Sequence, residues 1–256
     1  MPNPLSLEGR TALITGASRN IGAATASAFA EAGADLLIVA RGAEALEAKA
    51  QEIRARTGRR VVTLAADLAL ADGIDRLLAV ADREFDQVDV LINNAFDTGG
   101  TFGRSVIEIE WSDWQRCIGA NLEAPFKLSQ ALARRMCEGR GGSIVNVLTT
   151  AAFAPVPTFA PYAATKAGLW SLTRYMAREL APKVRVNAVC PGTTAEDGGE
   201  ANRAAWTKVL PTVPMGRIGL PQETAQALLF LASDAASYTT GQVIFVDGGR
   251  VSAAGG

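Results

Sequence analysis

The sequence predicts an α/β fold in which one parallel sheet is doubly wound, with helices on both faces. Short apolar, β-branched runs alternate with longer helical patterns along the chain. Those runs read as near-continuous apolar stretches, as strands buried on both faces do. A glycine-bearing turn joins the first run to the first helical pattern, the place where such sheets bind ligands.

The elements follow in order. TALIT (11–15) is the first strand, and the Ala-rich stretch from Ile21 to Ala32 the first helix. DLLIVA (35–40) precedes a helix over 43–56, and VVTLAAD (61–67) one over 73–85. VDVLINN (88–94) leads, through a glycine-containing loop, to a long helical stretch at 112–137. SIVNVL (143–148) leads to a helix around 160–181. VRVNAVC (184–190) enters a loop rich in Gly, Thr and Pro, then a helix at 222–233. QVIFVD (242–247) ends the pattern. Seven strands result, with right-handed crossovers expected. No linker, low-complexity tract or internal repeat interrupts residues 1–256, so one domain is the economical reading. In the long stretch, Ser112 and Gln115 have the form of a capping box. Pro125 lacks a backbone donor and crowds the carbonyl four residues earlier, which predicts a kink near Asn121.

Composition removes several function classes. The net charge of −1 argues against a non-specific nucleic-acid or membrane-surface binder. No apolar run approaches the about 20 residues a membrane span needs, and MPNPLSLEGR lacks the apolar core of a signal peptide. Three scattered cysteines, Cys117, Cys137 and Cys190, make neither a metal spacing nor a disulfide framework. With no histidine anywhere, a metal site is not expected. A soluble cytoplasmic protein is the expectation. The one basic cluster, RARTGRR (54–60), ends a helical pattern before a glycine, where positive charge suits the helix dipole.

TGASRNIGAA, Thr15 to Ala24, lies between strand and helix. Gly16 allows a tight turn, and Gly22 lets the helix approach the sheet. The helix N-terminus then offers free N–H groups and a positive dipole end to a diphosphate. Further on, FAPYAATKAGL (159–169) sets Tyr162 and Lys166 four apart, on one helix face.

TGASRNIG, NNA (93–95), YAATK and PG (191–192) together resemble the short-chain dehydrogenase/reductase family in order and spacing. The segment 216–249 is similar to that family's C-terminal part, and the likeness weakens only from Thr193 to Met215. The resemblance implies a single-domain Rossmann-type fold with a seven-stranded parallel sheet, a nicotinamide dinucleotide and, in many members, a homotetramer. It implies acid–base catalysis by Tyr162, whose hydroxyl would exchange a proton with the substrate oxygen. A phenol titrates near about 10, so the Lys166 cation and an oxidised nicotinamide would have to favour tyrosinate. Thirteen residues before Tyr162 the family usually carries a serine; Thr149 stands there and keeps a hydroxyl donor. It could instead merely end the strand, with Thr150 as the donor. Asn121 matches the family's helix asparagine, which holds a water for proton relay. A structural asparagine at a kink is its rival reading.

Cofactor contacts implied by the resemblance are Gly16, Ser18, Arg19, Asn20, Ile21 and Gly22 in the turn and Asp67 and Leu68 at the adenine. Asn94, Ala95, Pro191, Gly192, Thr194, Tyr162 and Lys166 complete the set. Two residues depart from the family pattern. Asn20 replaces a glycine, and asparagine best tolerates φ > 0. Phe96 replaces the glycine after NNA, and its ring is expected either to narrow the cleft or to alter the adjacent backbone path. An acid after the second strand would bind a ribose 2′-OH and repel a 2′-phosphate. IVAR ends in Arg41 with no acid, and Arg19 can reach the same region. Two guanidiniums suit a phosphate, so NADP(H) is favoured over NAD(H).

Phe153, Val156, Phe159, Trp206 and Met215 are expected to wall the pocket, with the loop 193–215 over it, for an apolar or aromatic substrate. Simple lid packing is the rival account. Arg140 and Lys183 fall near positions that are basic in reductases of carrier-bound acyl groups. The expected activity is reversible reduction of a small carbonyl substrate, including the 3-oxoacyl class, to a secondary alcohol. An NAD-dependent secondary alcohol or sugar dehydrogenase is the alternative, and a non-catalytic dinucleotide-binding protein a third.

Overall fold

The computed structural model describes residues 3–199 and 203–253. Seven strands form one sheet in the order β3-β2-β1-β4-β5-β6-β7. They are β1 (Thr11–Thr15), β2 (Asp35–Ala40), β3 (Val61–Ala65), β4 (Val90–Asn93), β5 (Gly142–Val147), β6 (Val184–Pro191) and β7 (Val243–Val246). Every pairing is parallel. Between them run α1 (Asn20–Glu31), α2 (Ala43–Thr57), α3 (Ala71–Glu84), α4 (Trp111–Ile118), α5 (Ala124–Glu138), α6 (Ala160–Leu180) and α7 (Pro221–Ala232). A short α8 (Arg250–Ala253) follows β7.

Continuous apolar strands are what this arrangement demands, because alternate side chains enter different cores. Ala12 and Ile14 of β1 join Leu36 and Ile38 of β2 in one core, beneath α1, α2 and α7. Leu13, Leu37 and Val39 point the other way, into the core under α3, α5 and α6. A smaller cluster around Leu148, Leu169, Ala188 and Cys190 lies toward β6. The strand order reverses at β1, which pairs with both β2 and β4. The crevice beyond these strand tips is the switch point at which such sheets bind ligands.

The stretch expected as one helix over 112–137 is three pieces. A π turn, Gly119–Glu123, separates α4 from α5, and the Ala124 N–H reaches back to the Gly119 carbonyl. Pro125 sits in the first turn of α5. It cannot donate to the Asn121 carbonyl, so the helix widens there rather than bending sharply. The Ser112 capping box does not form: Ser112 lies inside the first turn, and Glu110 occupies the cap position without a side-chain bond. The basic cluster is consumed by ion pairs, Arg54 with Glu47, Arg56 with Glu31, Arg59 with Glu8 and Asp35, and Arg60 with Glu84. Gly58 closes α2 in the left-handed region. Among the described residues no helix is long and apolar enough to cross a membrane.

Candidate active site

The turn after β1 folds as its residue types demand. Gly16 has φ of 69° and Asn20 φ of 51°, so the asparagine takes the left-handed conformation the sequence asks of it. At Gly22 a Cβ would stand 2.1 Å from the Gly16 carbonyl oxygen, so only glycine lets α1 approach this closely. The turn is pinned from β4. The Thr15 hydroxyl accepts from the N–H groups of Asn94 and Ala95, both at 2.9 Å. The Asn94 amide donates to the carbonyls of Thr15 and Gly16 at 2.9 and 3.2 Å. Asn94 and Ala95 therefore hold the turn that faces the crevice.

Other expected cofactor residues fall into two groups. Gly192 closes the end of β6, donating to Val246, and a Cβ there would meet the Asp247 Cα at 2.8 Å. Pro191 precedes it as the last residue of β6, and Thr194 bridges Gly219. Ser18, Arg19 and Asn20 line a cavity of about 410 Å³ that Tyr162 does not line. Ile21 packs against the core under α1, and the Leu68 side chain lies in the opposite core. One feature of the N-terminus of α1 is unforeseen: the Asn20 N–H donates to the Glu196 carboxylate at 3.2 Å. An acid from the loop after β6 thus rests where an anion would bind.

The catalytic candidates converge at the tip of β5. Thr149 caps a short 3-10 turn, Thr150–Ala152, and its Oγ1 accepts weakly from the Ala151 N–H at 3.4 Å. Thr150 is buried and Thr149 is not, which removes Thr150 as the accessible donor. Tyr162 and Lys166 lie one turn apart in α6. Lys166 is 1% exposed, and its Nζ donates to the Val147 carbonyl at 2.8 Å. The ammonium lies 5.8 Å from the Tyr162 ring centroid.

Burial governs both groups. Desolvation lowers the Lys166 pKa from 10.5 to about 8, against a weaker opposing pull from Cys117. Desolvation, aided by Cys117 and Cys190, pushes the Tyr162 phenol above its ordinary value. The expectation from the sequence was that Lys166 and an oxidised nicotinamide together lower the phenol. In this structure the field of Lys166 does not offset the loss of water around the ring.

Asn121 is fully buried in the π turn. Its amide donates to the carbonyls of Asp97 and Cys117, and its Oδ1 accepts from the Asp97 N–H at 3.2 Å. The side chain is therefore engaged in holding the loop after β4.

That loop carries what sequence reasoning missed. Phe102 stacks on Phe159 with centroids 4.2 Å apart and stands edge-on to Tyr162 at 5.4 Å. Phe96 tilts against Tyr162 at 5.8 Å. Phe96 is 54% and Phe102 39% exposed, so two rings beside the phenol face solvent. Phe153, expected in this wall, instead packs on Phe245 and Trp170 in the third apolar cluster. The signal for Phe102 was present in Gly99, Gly100 and Gly103, all at positive φ, which turn the loop back toward α6.

Charge at the β2 tip also differs from expectation. Arg41 Nη1 pairs with Asp97 Oδ2 at 2.7 Å, and Arg116 Nη2 bridges Asp97 at 2.8 Å and Asp67 at 2.9 Å. Asp67, expected at an adenine, is held below the usual carboxylate range by Arg116 and by the Ala69 N–H, against the opposing effect of burial. Arg19 makes no ion pair among the described residues. Arg140 and Lys183 sit at the N-terminal edge of the sheet, just before β5 and β6. Six residues of strand, roughly 20 Å, separate that edge from Thr149 within the chain. Arg140 there grips Asp89 at 2.5 and 2.7 Å.

Comparison with known proteins agrees with this geometry. A family model described as enoyl-(acyl carrier protein) reductase matches residues 16–250. The 3-oxoacyl-[acyl-carrier-protein] reductase of Vibrio cholerae is 40% identical over 247 residues, covering 96% of this chain and 98% of its own. The 2-dehydro-3-deoxy-D-gluconate 5-dehydrogenase of Escherichia coli is 36% identical, covering 95% and 96%. A crystal structure of a gluconate 5-dehydrogenase from Burkholderia cenocepacia, in complex with NADP and tartrate, superposes with a TM-score of 0.87 at 33% identity over 97% of this chain and 98% of that one. The glycine turn, the seven-stranded sheet, the Tyr162–Lys166 pair and these matches place the chain in the short-chain dehydrogenase/reductase family of NAD(P)-dependent oxidoreductases.

Proposed function

We propose that this enzyme reduces a small ketone to a secondary alcohol, reversibly, and prefers NADP(H) over NAD(H). The observation that carries the reading is Tyr162 beside buried Lys166, with the Thr149 hydroxyl near the tip of β5. The dinucleotide fits what is present. The close Gly16–Gly22 approach sets the N-terminus of α1 against the tip of β1, and Arg19 and Arg41 stand near the tips of β1 and β2. Gly16, Ser18, Asn20, Ile21 and Gly22 would face the diphosphate, Asp67 and Leu68 the adenine, and Asn94, Ala95, Pro191, Gly192 and Thr194 the nicotinamide half. When bound, the coenzyme supplies or takes the hydride at the carbinol carbon.

The chain's own residues handle the proton. Thr149 donates a hydrogen bond to the substrate oxygen and orients it. Tyr162 transfers its phenolic proton to that oxygen during reduction and removes it during oxidation. Lys166, with a pKa of about 8, is largely protonated at neutral pH and stabilises the phenolate left behind. Asn121 presents a carbonyl that Pro125 cannot satisfy, and holds the water that returns a proton to Lys166.

Phe96, Phe102 and Phe159 favour an apolar, planar carbonyl compound over a polyhydroxylated one. The loop about 193–215 closes over that substrate. The chain acts as one domain, residues 1–256, in a cytoplasmic homotetramer, as the family resemblance supports. An NAD-dependent dehydrogenase of a sugar acid is the second reading, favoured by the Escherichia coli relative and by the acid beside Arg41.

Tyr162→Phe tests the core of the proposal. It is expected to lower kcat/KM by about a thousandfold while leaving coenzyme affinity within a factor of about two. Near-normal turnover would remove Tyr162 from the chemistry. A panel of aryl ketones, 3-oxoacyl thioesters and sugar acids, assayed with both coenzymes, tests the substrate class.

A further inference from the structure

We propose that Asp97 determines coenzyme selectivity, supplying from the β4 loop the acid that the end of β2 lacks. The inference rests on the coenzyme reading above. Arg41 follows β2, and Asp97 lies four residues beyond the end of β4. These strands flank β1 on opposite sides, so their tips stand about 10 Å apart. The Arg41–Asp97 pair closes that gap at 2.7 Å. It therefore spans the β1 tip, over the mouth of the Gly16 turn.

The two partners differ in freedom. The Asp97 side chain is 15% exposed and fully engaged. Its Oδ1 accepts from the Gly99 N–H at 2.9 Å, while its Oδ2 takes Arg41 and, by two nitrogens, Arg116. Its backbone is clamped on both sides by the Asn121 amide. Arg41 is 58% exposed and commits one nitrogen. Asp97 is thus the fixed member and Arg41 the mobile one.

A coenzyme 2′-phosphate reaching Arg41 meets a guanidinium already neutralised and a carboxylate behind it. That pairing weakens the pull of Arg41 on the phosphate, whereas a neutral ribose 2′-OH loses little by it. Arg41 therefore gives less preference for NADP(H) than an unpaired arginine would, and NAD(H) remains usable. The same carboxylate holds the loop whose backbone clamps Asn121, so the selectivity element and the catalytic helix share one anchor.

The test is the ratio of Kd for NADH to Kd for NADPH, measured by coenzyme fluorescence on the full chain without substrate. Asp97→Asn keeps an oxygen for the Gly99 N–H. It is expected to raise the ratio roughly three- to tenfold, by tightening NADPH. Loosening of the loop alone would weaken both coenzymes alike and leave the ratio unchanged, which overturns the proposal. In an Arg41→Ala background the Asp97→Asn gain should vanish; a gain that persists overturns it as well. Arg41→Ala alone is expected to weaken NADPH by no more than about threefold, since its charge is already spent. A loss above about tenfold would show an unneutralised arginine and refute the idea without recourse to Asp97→Asn. If the wild-type chain binds neither coenzyme, the underlying function fails and this inference with it. If it binds both with an unaltered ratio in Asp97→Asn, only the inference fails.

Discussion

Asp89 and Asp97 both pair with arginines, at opposite edges of one sheet. At the N-terminal edge Asp89 is 1% exposed, gripped by Arg140 through two oxygens, and accepts from the Thr11 N–H at 2.8 Å and the Gln87 amide at 3.1 Å. It ties β1 to the segment before β5. At the C-terminal edge Asp97 also holds two arginines, but one of them, Arg41, lies largely in solvent. The lower carboxylate meets only groups of the chain. The upper one faces a crevice, and an incoming anion can compete for its partner. In a doubly wound sheet the lower edge is free to become rigid, whereas the upper edge must leave polar groups exchangeable.

This contrast breaks if the two carboxylates prove equally structural. Asp89→Ala strips a buried backbone donor and a two-point arginine contact, and is expected to cost about 3 kcal/mol. Asp97→Ala also strips the Gly99 N–H, but its arginine partners stay solvated, so it should cost less, about 1 to 2 kcal/mol. Urea unfolding of both variants decides the point, and equal losses would abolish the distinction.

Lys166 sharpens it, as a charge buried at the functional edge with a carbonyl but, among the described residues, no carboxylate partner. Its folded-state pKa of about 8 lies below the ordinary 10.5. Between those values the unfolded chain binds more protons, so stability should rise with pH across that window. Wild type is expected to gain up to about 3 kcal/mol relative to Lys166→Met from pH 8 to 10.5. A flat difference between the two unfolding curves would mean that the lysine escapes desolvation.

The smallest effect concerns Glu196. Its carboxylate occupies the first turn of α1 and has to yield to a diphosphate. Glu196→Gln keeps an acceptor but removes the charge, and should tighten coenzyme binding about two- to fivefold at low salt. Added salt should shrink that gain. Unchanged affinity at low ionic strength would place the coenzyme away from this helix end.

Much of this was legible in the residue order, though unevenly. The left-handed Asn20, an irregularity near Asn121 ahead of Pro125 (expected as a kink, found as a π turn) and the Tyr162–Lys166 pair were read from local rules, and each depends on residues within a few positions. Phe153 was expected beside Tyr162 because the sequence shows only that it precedes α6; its contacts with Phe245 of β7 and Trp170 farther along α6 come from segments distant in the chain. Asp97 went unnoticed because its partner lies 56 residues away. The burial that raises the Tyr162 phenol was not legible, because spacing reports the nearest cation and says nothing of the surrounding solvent.

By itself the sequence determined the strands, the helices, the glycine turn and the side chains that share one face of α6. Those follow from dihedral preference and from periods of two and 3.6 residues, which act over short stretches. Only the tertiary structure decided that β1 lies between β2 and β4, that Arg41 meets Asp97 across it, and that Lys166 loses its water. Those outcomes depend on how distant segments pack, and the sum of burial and charge at a point in space has no counterpart in the spacing along the chain.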